Sequence, residues 1–467
     1  MSKKDSNQTH FTSQVQLLLD RIYGRSVLKD SMLEQAIEYF NHQDANQQTA
    51  QADSSKNKPS SEDVTSNEKL RLSKLQRLTN LQTICIEIID LCESEGVTEC
   101  HQKSAQLLGT IQLLTPTEGS KVAQSNERHK PLYKAVLCLR LLDRLCDDGK
   151  ITEPFIKEYL AKLSPGQYHS FAAVDPKGYE RFLYQIKIPL IMAALLQDIG
   201  HYHPDAQRII LGEEGTNDPF ALLGIAERKL VLQISYRETV RYLVNGIGVA
   251  VYIGNSKAER EQFNHVEQKK IVFIKHLLKS SINPKKGIGN LLKVPQMYSS
   301  MVLSTKASYN YKLLPKVYQI LNKNAERGGC SQLVVDSLYT ITGMFPQGYG
   351  IVYFPTNSSG EQQDNYEYAI VNQLYPPEPE HPLCRIATRH LAFVSRGQSI
   401  EVKRNANLYF SETAEKLKLL SKERLNAILA LLSSNYDERK DLDLFPRCWQ
   451  CGSYFSMKEN QKIWVKT

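Results

Sequence analysis

From Ile188 to Leu196 every residue is apolar, and the run stops abruptly at Gln197-Asp198-Ile199-Gly200-His201. A run this short falls well below the ~20 residues of a membrane span, so it belongs in a protein core. Its polar end must then emerge where side chains can do chemistry. Asp198 and His201 are spaced three residues apart, which places them on one face if the chain is helical there. His203 follows just before Pro204.

The chain has 467 residues, enough for two or three domains. At 41% hydrophobic and 23% charged it has the composition of a protein with real cores. The formal net charge of +8 is mild for this length and is not gathered into a dense basic block, so no nucleic-acid partner is expected. No stretch has the length of a membrane span, and the polar start, Met1-Ser2-Lys3-Lys4-Asp5, lacks an apolar signal core. The nine cysteines are odd in number and scattered, several of them in apolar runs, which suits reduced thiols in a cytoplasm.

Apolar periodicity divides the chain. Residues 1–41 carry helical segments. Residues 42–68 are Gln, Asn, Ser, Asp and Lys with almost no large apolar side chain, and read as a flexible linker. A helical module spans 69–163, with Leu72, Leu75, Leu78, Leu81, Ile84, Ile88 and Leu91 as its first stripe. Helices with polar breaks fill 164–345, and Thr152 before Pro154 reads as an N-cap. At Pro346 the pattern turns to short β runs, Gly350–Phe354, Tyr366–Gln373, Cys384–Ala387 and Ile400–Lys403, which predict a small antiparallel sheet over 346–410. The rest, 411–467, reads as an amphipathic helix from Ala414 to Leu432 and a tail. The fold class is therefore mainly α: an N-terminal helical region, a helical bundle and a small C-terminal antiparallel β subdomain.

Three stretches together resemble one family. Ala193-Ala194-Leu195-Leu196-Gln197-Asp198-Ile199-Gly200 is similar to an apolar run ending in His-Asp-Ile-Gly-Lys. Leu291-Leu292-Lys293-Val294-Pro295-Gln296-Met297-Tyr298-Ser299-Ser300, followed by Lys306-Ala307-Ser308-Tyr309, looks like a late Val-Ala-Asp-x-Tyr-Asp-Ala helix and the Arg-Pro-Tyr run after it. Gly343-Met344-Phe345-Pro346-Gln347-Gly348-Tyr349-Gly350 is similar to the exit from that helical domain. Over about residues 167–410 the chain resembles the HD-GYP family, bacterial HD-superfamily phosphohydrolases of cyclic di-GMP. The resemblance implies a site where divalent Fe or Mn, held by His and Asp, activates water.

The ligands are mostly replaced. The family's His falls on Gln197 and its late Asp on Gln296, while Asp198 is kept. An amide oxygen is a much weaker transition-metal ligand than an imidazole. His169, His201, His203 and His265 are the residual candidates for a relocated metal site, whereas the two glutamines can bond to each other in a pocket that needs no charge compensation. The resemblance therefore implies a catalytically impaired signalling or scaffold protein of a bacterial cytoplasm. It would carry no resident cofactor, engage a protein partner, and have a cyclic dinucleotide as its candidate ligand. The alternative is an active metal-dependent phosphodiesterase with a non-standard ligand set.

Other motifs carry less. Gly246-Ile247-Gly248 and Gly287-Ile288-Gly289 lack the strand and spacing of a phosphate loop and read as turns or helix ends. Cys448-x-x-Cys451 is half of a zinc ribbon, for which Cys384, His381 and His390 are the nearest further ligands. Arg385, Lys403 and Arg404 read as an exposed charged face of the sheet, with a nucleotide phosphate as the functional alternative.

Overall fold

A computed structural model describes residues 7–24, 30–52, 61–164, 166–284, 287–356, 362–416 apart from 364, and 446–464, together with positions 423, 427 and 430. The protein is mainly α with a small antiparallel sheet near the C-terminus. The first helices are α1 (His10–Tyr23), α2 (Met32–Ala52), α3 (Ser61–Cys92), α4 (Val97–Leu114) and α5 (Val122–Asp147). Next come α6 (Pro154–Leu160), α7 (Phe171–Val174), α8 (Pro176–Phe182), α9 (Ile188–Leu196) and α10 (Pro204–Leu211). The helical part ends with α11 (Ile225–Arg241), α12 (Lys257–Ser280), α13 (Asn290–Val302), α14 (Val317–Glu326) and α15 (Gln332–Thr342).

One apolar core runs through this array. It takes in Val15 and Leu19 of α1, Phe40 of α2, Ile84 and Ile88 of α3, Leu108 of α4, Leu137 and Leu141 of α5, and Leu277, Leu292 and Leu338 farther on. Segments 1–41, 69–163 and 164–345, separate in the sequence reading, thus pack around the same interior. The apolar run becomes α9, buried along its whole length. By length and mean hydropathy Pro176–Tyr202 is the one membrane-length candidate among the described residues, and 72% of its apolar 18-residue window is buried inside the protein.

Two local expectations change. The linker expected at 42–68 is helical on both flanks, since α2 continues to Ala52 and α3 begins at Ser61. Few apolar side chains limit packing, but Ala, Gln, Lys and Glu have good intrinsic helix propensity. Second, the residue before α6 is Glu153, not Thr152. The helix expected over Ala414–Leu432 lies mostly outside the described residues, which in that region show a short helix at Ser411–Ala414 and helical backbone at positions 423, 427 and 430.

The sheet consists of β1 (Gly350–Tyr353), β2 (Glu367–Val371), β3 (Leu383–Ile386), a two-residue pair β4 (Thr388–Arg389) and β5 (Ala392–Phe393), and β6 (Ser399–Glu401). Its order is β1-β2-β3-β6, antiparallel throughout, with Ile351 opposite Ala369 and Cys384 opposite Ile400. Ile351, Ala369, Val371 and Cys384 face one small core with Phe345 and Phe410. The tail closes onto this unit and onto α4: Trp449 pairs with Gly350, and the Trp464 ring fills the space a side chain at Gly109 would need.

Candidate functional site

The end of α9 meets α5 and α13. Gln197 and Asp198 leave the helix, and Ile199–Tyr202 tighten into a 3₁₀ turn. Gly200 is required here. A Cβ on it would lie 2.1 Å from the Ser235 carbonyl oxygen of α11, and its N–H donates to Thr239 Oγ1 at 3.0 Å. The absent side chain lets the turn press against α11 and fixes where Asp198 points.

The polar groups close into a ring. Lys134 Nζ, from the middle of α5, donates to Asp198 Oδ2 at 2.9 Å and to Gln197 Oε1 at 3.0 Å. Gln197 Nε2 donates to Gln296 Oε1 at 3.0 Å and to Ser281 Oγ at 3.4 Å. Gln296 Nε2 returns to Asp198 Oδ1 at 2.9 Å. Each carboxylate oxygen thus has a donor, one charged and one neutral. Burial acts to raise the Asp198 pKa, but the charges of Lys134 and His201, the Lys134 hydrogen bond and Lys130 outweigh it and hold the carboxyl down at about 2.

The structure brings Gln197, Asp198 and Gln296 together. The histidines are distributed differently. His201 Nδ1 lies 3.0 Å from the Asp198 backbone oxygen and 3.0 Å from Ser235 Oγ. His203 is buried, accepts the Asp205 N–H as the N-cap of α10, and packs edge-on against Phe40. His169 pairs with Asp147 at 2.9 Å, and His265 is exposed on α12. Among the described residues no three His, Cys, Asp or Glu side chains come together as a metal site. The four histidines that stood as residual candidates for a relocated metal site are thus not gathered into one among the described residues. Short sequence separation does not set side-chain direction, and the turn after Gly200 sends His203 into the α2–α11 interface. A divalent ion does not fit the ring: the donors are one carboxylate and two amides, and an ammonium stands at the carboxylate.

Sequence reasoning missed Lys134. Its signal was a single Lys inside the apolar stretch Leu132–Leu139 of α5, which has no solvent to reach unless it finds a partner. The same signal marks a second polar cluster, at the far end of the α5–α9 contact. Arg140 and Lys187 are each 2% exposed. Lys187 Nζ lies 3.0 Å from Glu93 Oε1 and 3.1 Å from Asp143 Oδ1, and Arg140 reaches the same two carboxylates, Asp143 at 2.7 Å. The Tyr168 hydroxyl donates to Asp143 Oδ1 at 2.5 Å. Burial raises the Glu93 pKa, but Arg140 and Lys187 outweigh it and bring the carboxyl to about 2. Two cations balance two anions, so no net charge is buried.

The remaining motifs are structural. Gly246 and Gly248 end a π-helical turn, with Arg77 Nε bonded to the Gly246 carbonyl at 2.8 Å, and Gly289 caps α13. Arg385, expected on an exposed face, is instead buried and donates to the carbonyls of Ile463 and Gly397. It sits on β3 under the tail, which covers the face that the sequence left open. Arg404 is half-exposed and pairs with Glu380 at 2.6 Å. No family model, curated protein or solved structure matches this chain.

Proposed function

We propose that the chain is a catalytically impaired, HD-GYP-like signalling or scaffold protein, in which a lysine ammonium has taken over the electrostatic role of a metal. The observation that carries this reading is the closed ring of Lys134, Asp198, Gln296 and Gln197. Catalysis of phosphoester hydrolysis in the resembled family rests on a cation that acidifies bound water. An alkylammonium neutralises Asp198 but has no open coordination position for water. Its hydrogen bonds bind the end of α9 to α5, so what the arrangement preserves is the shape of the bundle. The natural use of such a shape is to be recognised by a partner protein, with a cyclic dinucleotide as the candidate small ligand.

The test uses the full chain, purified without chelator. Bound Fe, Mn and Zn are measured by elemental analysis, and cyclic di-GMP is added with the product separated by chromatography. The reading requires metal far below one equivalent and intact cyclic dinucleotide. A stoichiometric metal together with linear product overturns it in favour of an active phosphodiesterase. Calorimetry with cyclic di-GMP then separates a sensor, which binds without turnover, from a scaffold that does not bind.

A further inference from the structure

Between α10 and α11 the chain leaves the body of the protein. From Glu213 to Leu230 no residue is buried. The segment is nevertheless held by local hydrogen bonds. The Asn217 N–H donates to the Leu211 carbonyl at 2.9 Å, and the Phe220 N–H to Asp218 Oδ1 at 3.0 Å. The Gly224 N–H donates to Glu227 Oε2 at 2.9 Å, which caps α11.

What this segment shows to solvent is apolar. Pro219-Phe220-Ala221-Leu222-Leu223-Gly224-Ile225-Ala226 has no polar side chain. Leu222 is 82% exposed and Ile225 93%. Leu232, seven residues after Ile225 and so on the same side of the helix, is 53% exposed. The face by which α11 packs on the body is a different one, made by Val231, Ile234, Ser235 and Glu238. Single exposed apolar residues are ordinary, but an uninterrupted run that holds its side chains out in water marks an interaction surface.

The charges around this run are sorted. The loop before it carries Glu213, Glu214 and Asp218, and the helix after it carries Arg228 and Lys229, all five exposed. We propose that the patch is an interface between two copies of this chain, related by a two-fold axis beside Ile225. A surface that matches an acid–apolar–base order must present that order reversed, and a second copy turned through a two-fold does so. The two copies of Ile225 then meet at the axis. The acidic loop of each copy lies on the Arg228 and Lys229 side of the other. An interface of ordinary size takes about 20–30 residues a side, and Glu213 to Leu230 supplies most of one. A lipid surface fits less well, because the three loop carboxylates beside the apolar run would be repelled by anionic headgroups.

Sedimentation velocity on the full chain, over a range of concentrations, reads the state of assembly. The native chain should sediment as a dimer. Ile225→Glu puts a charge at the axis on a side chain that folding leaves in water, so circular dichroism should show a folded protein. Its dimer dissociation constant should rise ~tenfold or more. A loop variant, Glu213→Lys with Glu214→Lys, and a helix variant, Arg228→Glu with Lys229→Glu, should each dimerise more weakly alone and pair with each other when mixed. A native chain that stays monomeric overturns the proposal, as does a dimer that Ile225→Glu leaves intact, or a pair of charge variants that do not rescue one another. Flotation with phosphatidylglycerol vesicles tests the other occupant: native protein that rises with the lipid, and Ile225→Glu that does not, would assign the patch to a membrane instead.

Discussion

Lys134 and Asp198 meet at one end of the α5–α9 contact, 2.9 Å apart, and the charges are reversed at the other end. There α5 supplies the anion, Asp143, and the α9 side supplies the cation, Lys187, 3.1 Å away. The two helices therefore lie antiparallel and are pinned at both ends by pairs of opposite polarity. Sliding or reversing α9 would set Lys187 near Lys134, or Asp198 near Asp143. The pairs thus specify one register where apolar packing alone tolerates several.

Replacing Lys134 by Met removes the charge and both hydrogen bonds and keeps most of the volume. The expected loss is about 1–2 kcal/mol, at the low end of the range for stranded polar partners, because the Asp198 side chain is 46% exposed. Adding Asp198→Asn should return part of it, a coupling of roughly 0.5–1 kcal/mol. Urea unfolding of the four proteins measures the cycle, and strict additivity would show that the pair does not interact.

Stability should fall in acid. The folded pKa values of Asp198 and Glu93, each about 2, lie below their ordinary values of 3.8 and 4.5. Each contribution is fully present above the ordinary value and is lost as pH falls toward 2. The urea midpoint should be flat above about pH 5 on this account and drop between roughly pH 4.5 and 2. In Asp198→Asn the drop should be shallower. A midpoint that rises on acidification would reverse the sign and refute the assignment.

Arg140→Met should be among the most damaging single substitutions, costing about 3–5 kcal/mol, since it strands Glu93 and Asp143 with Lys187 alone. Neutralising the set, with Glu93→Gln and Asp143→Asn added, should recover a large share. Thermal unfolding followed by circular dichroism compares the two proteins. If the triple variant is no more stable than the single one, charge balance is not what holds this cluster.

Gly200→Ala forces a methyl group into the Ser235 backbone oxygen, so the turn or α11 must shift. A cost of about 1–3 kcal/mol is expected. Hydrogen exchange should accelerate at the Gly200 N–H and along α11, and exchange unchanged from the parent would mean that the close approach is not maintained in solution.

Much of the architecture could be read from the residues. The four β runs fall on β1, β2, β3 and β6, with β1 and most of β2 buried on both faces, and of the α3 stripe Leu78, Leu81, Ile84 and Ile88 are buried whereas Leu72 and Leu75 stay exposed. The grouping of Gln197, Asp198 and Gln296 was also legible, because it followed from matching two separate stretches to one pattern. Lys134 was not, since it lies 64 residues before Asp198 and no local spacing links them. A residue's partner across a core is a property of how helices cross, not of its neighbours in sequence. The same holds for Arg385, which reads as a strand charge until the tail lays the Ile463 carbonyl over it.

The position of Trp464 over Gly109 has a consequence for how the protein comes into being. Gln102 on α4 donates to the Trp464 carbonyl, a partner 362 residues downstream. While the chain emerges from the ribosome, this flank of α4 waits for Trp464 through the making of α5 to α15 and the sheet. That surface lacks its native cover until Trp464 itself has been made. Trp464→Ala leaves the flank bare for good, and its cost of about 3–5 kcal/mol should appear as poor yield of folded protein in the cell before it appears in any purified sample.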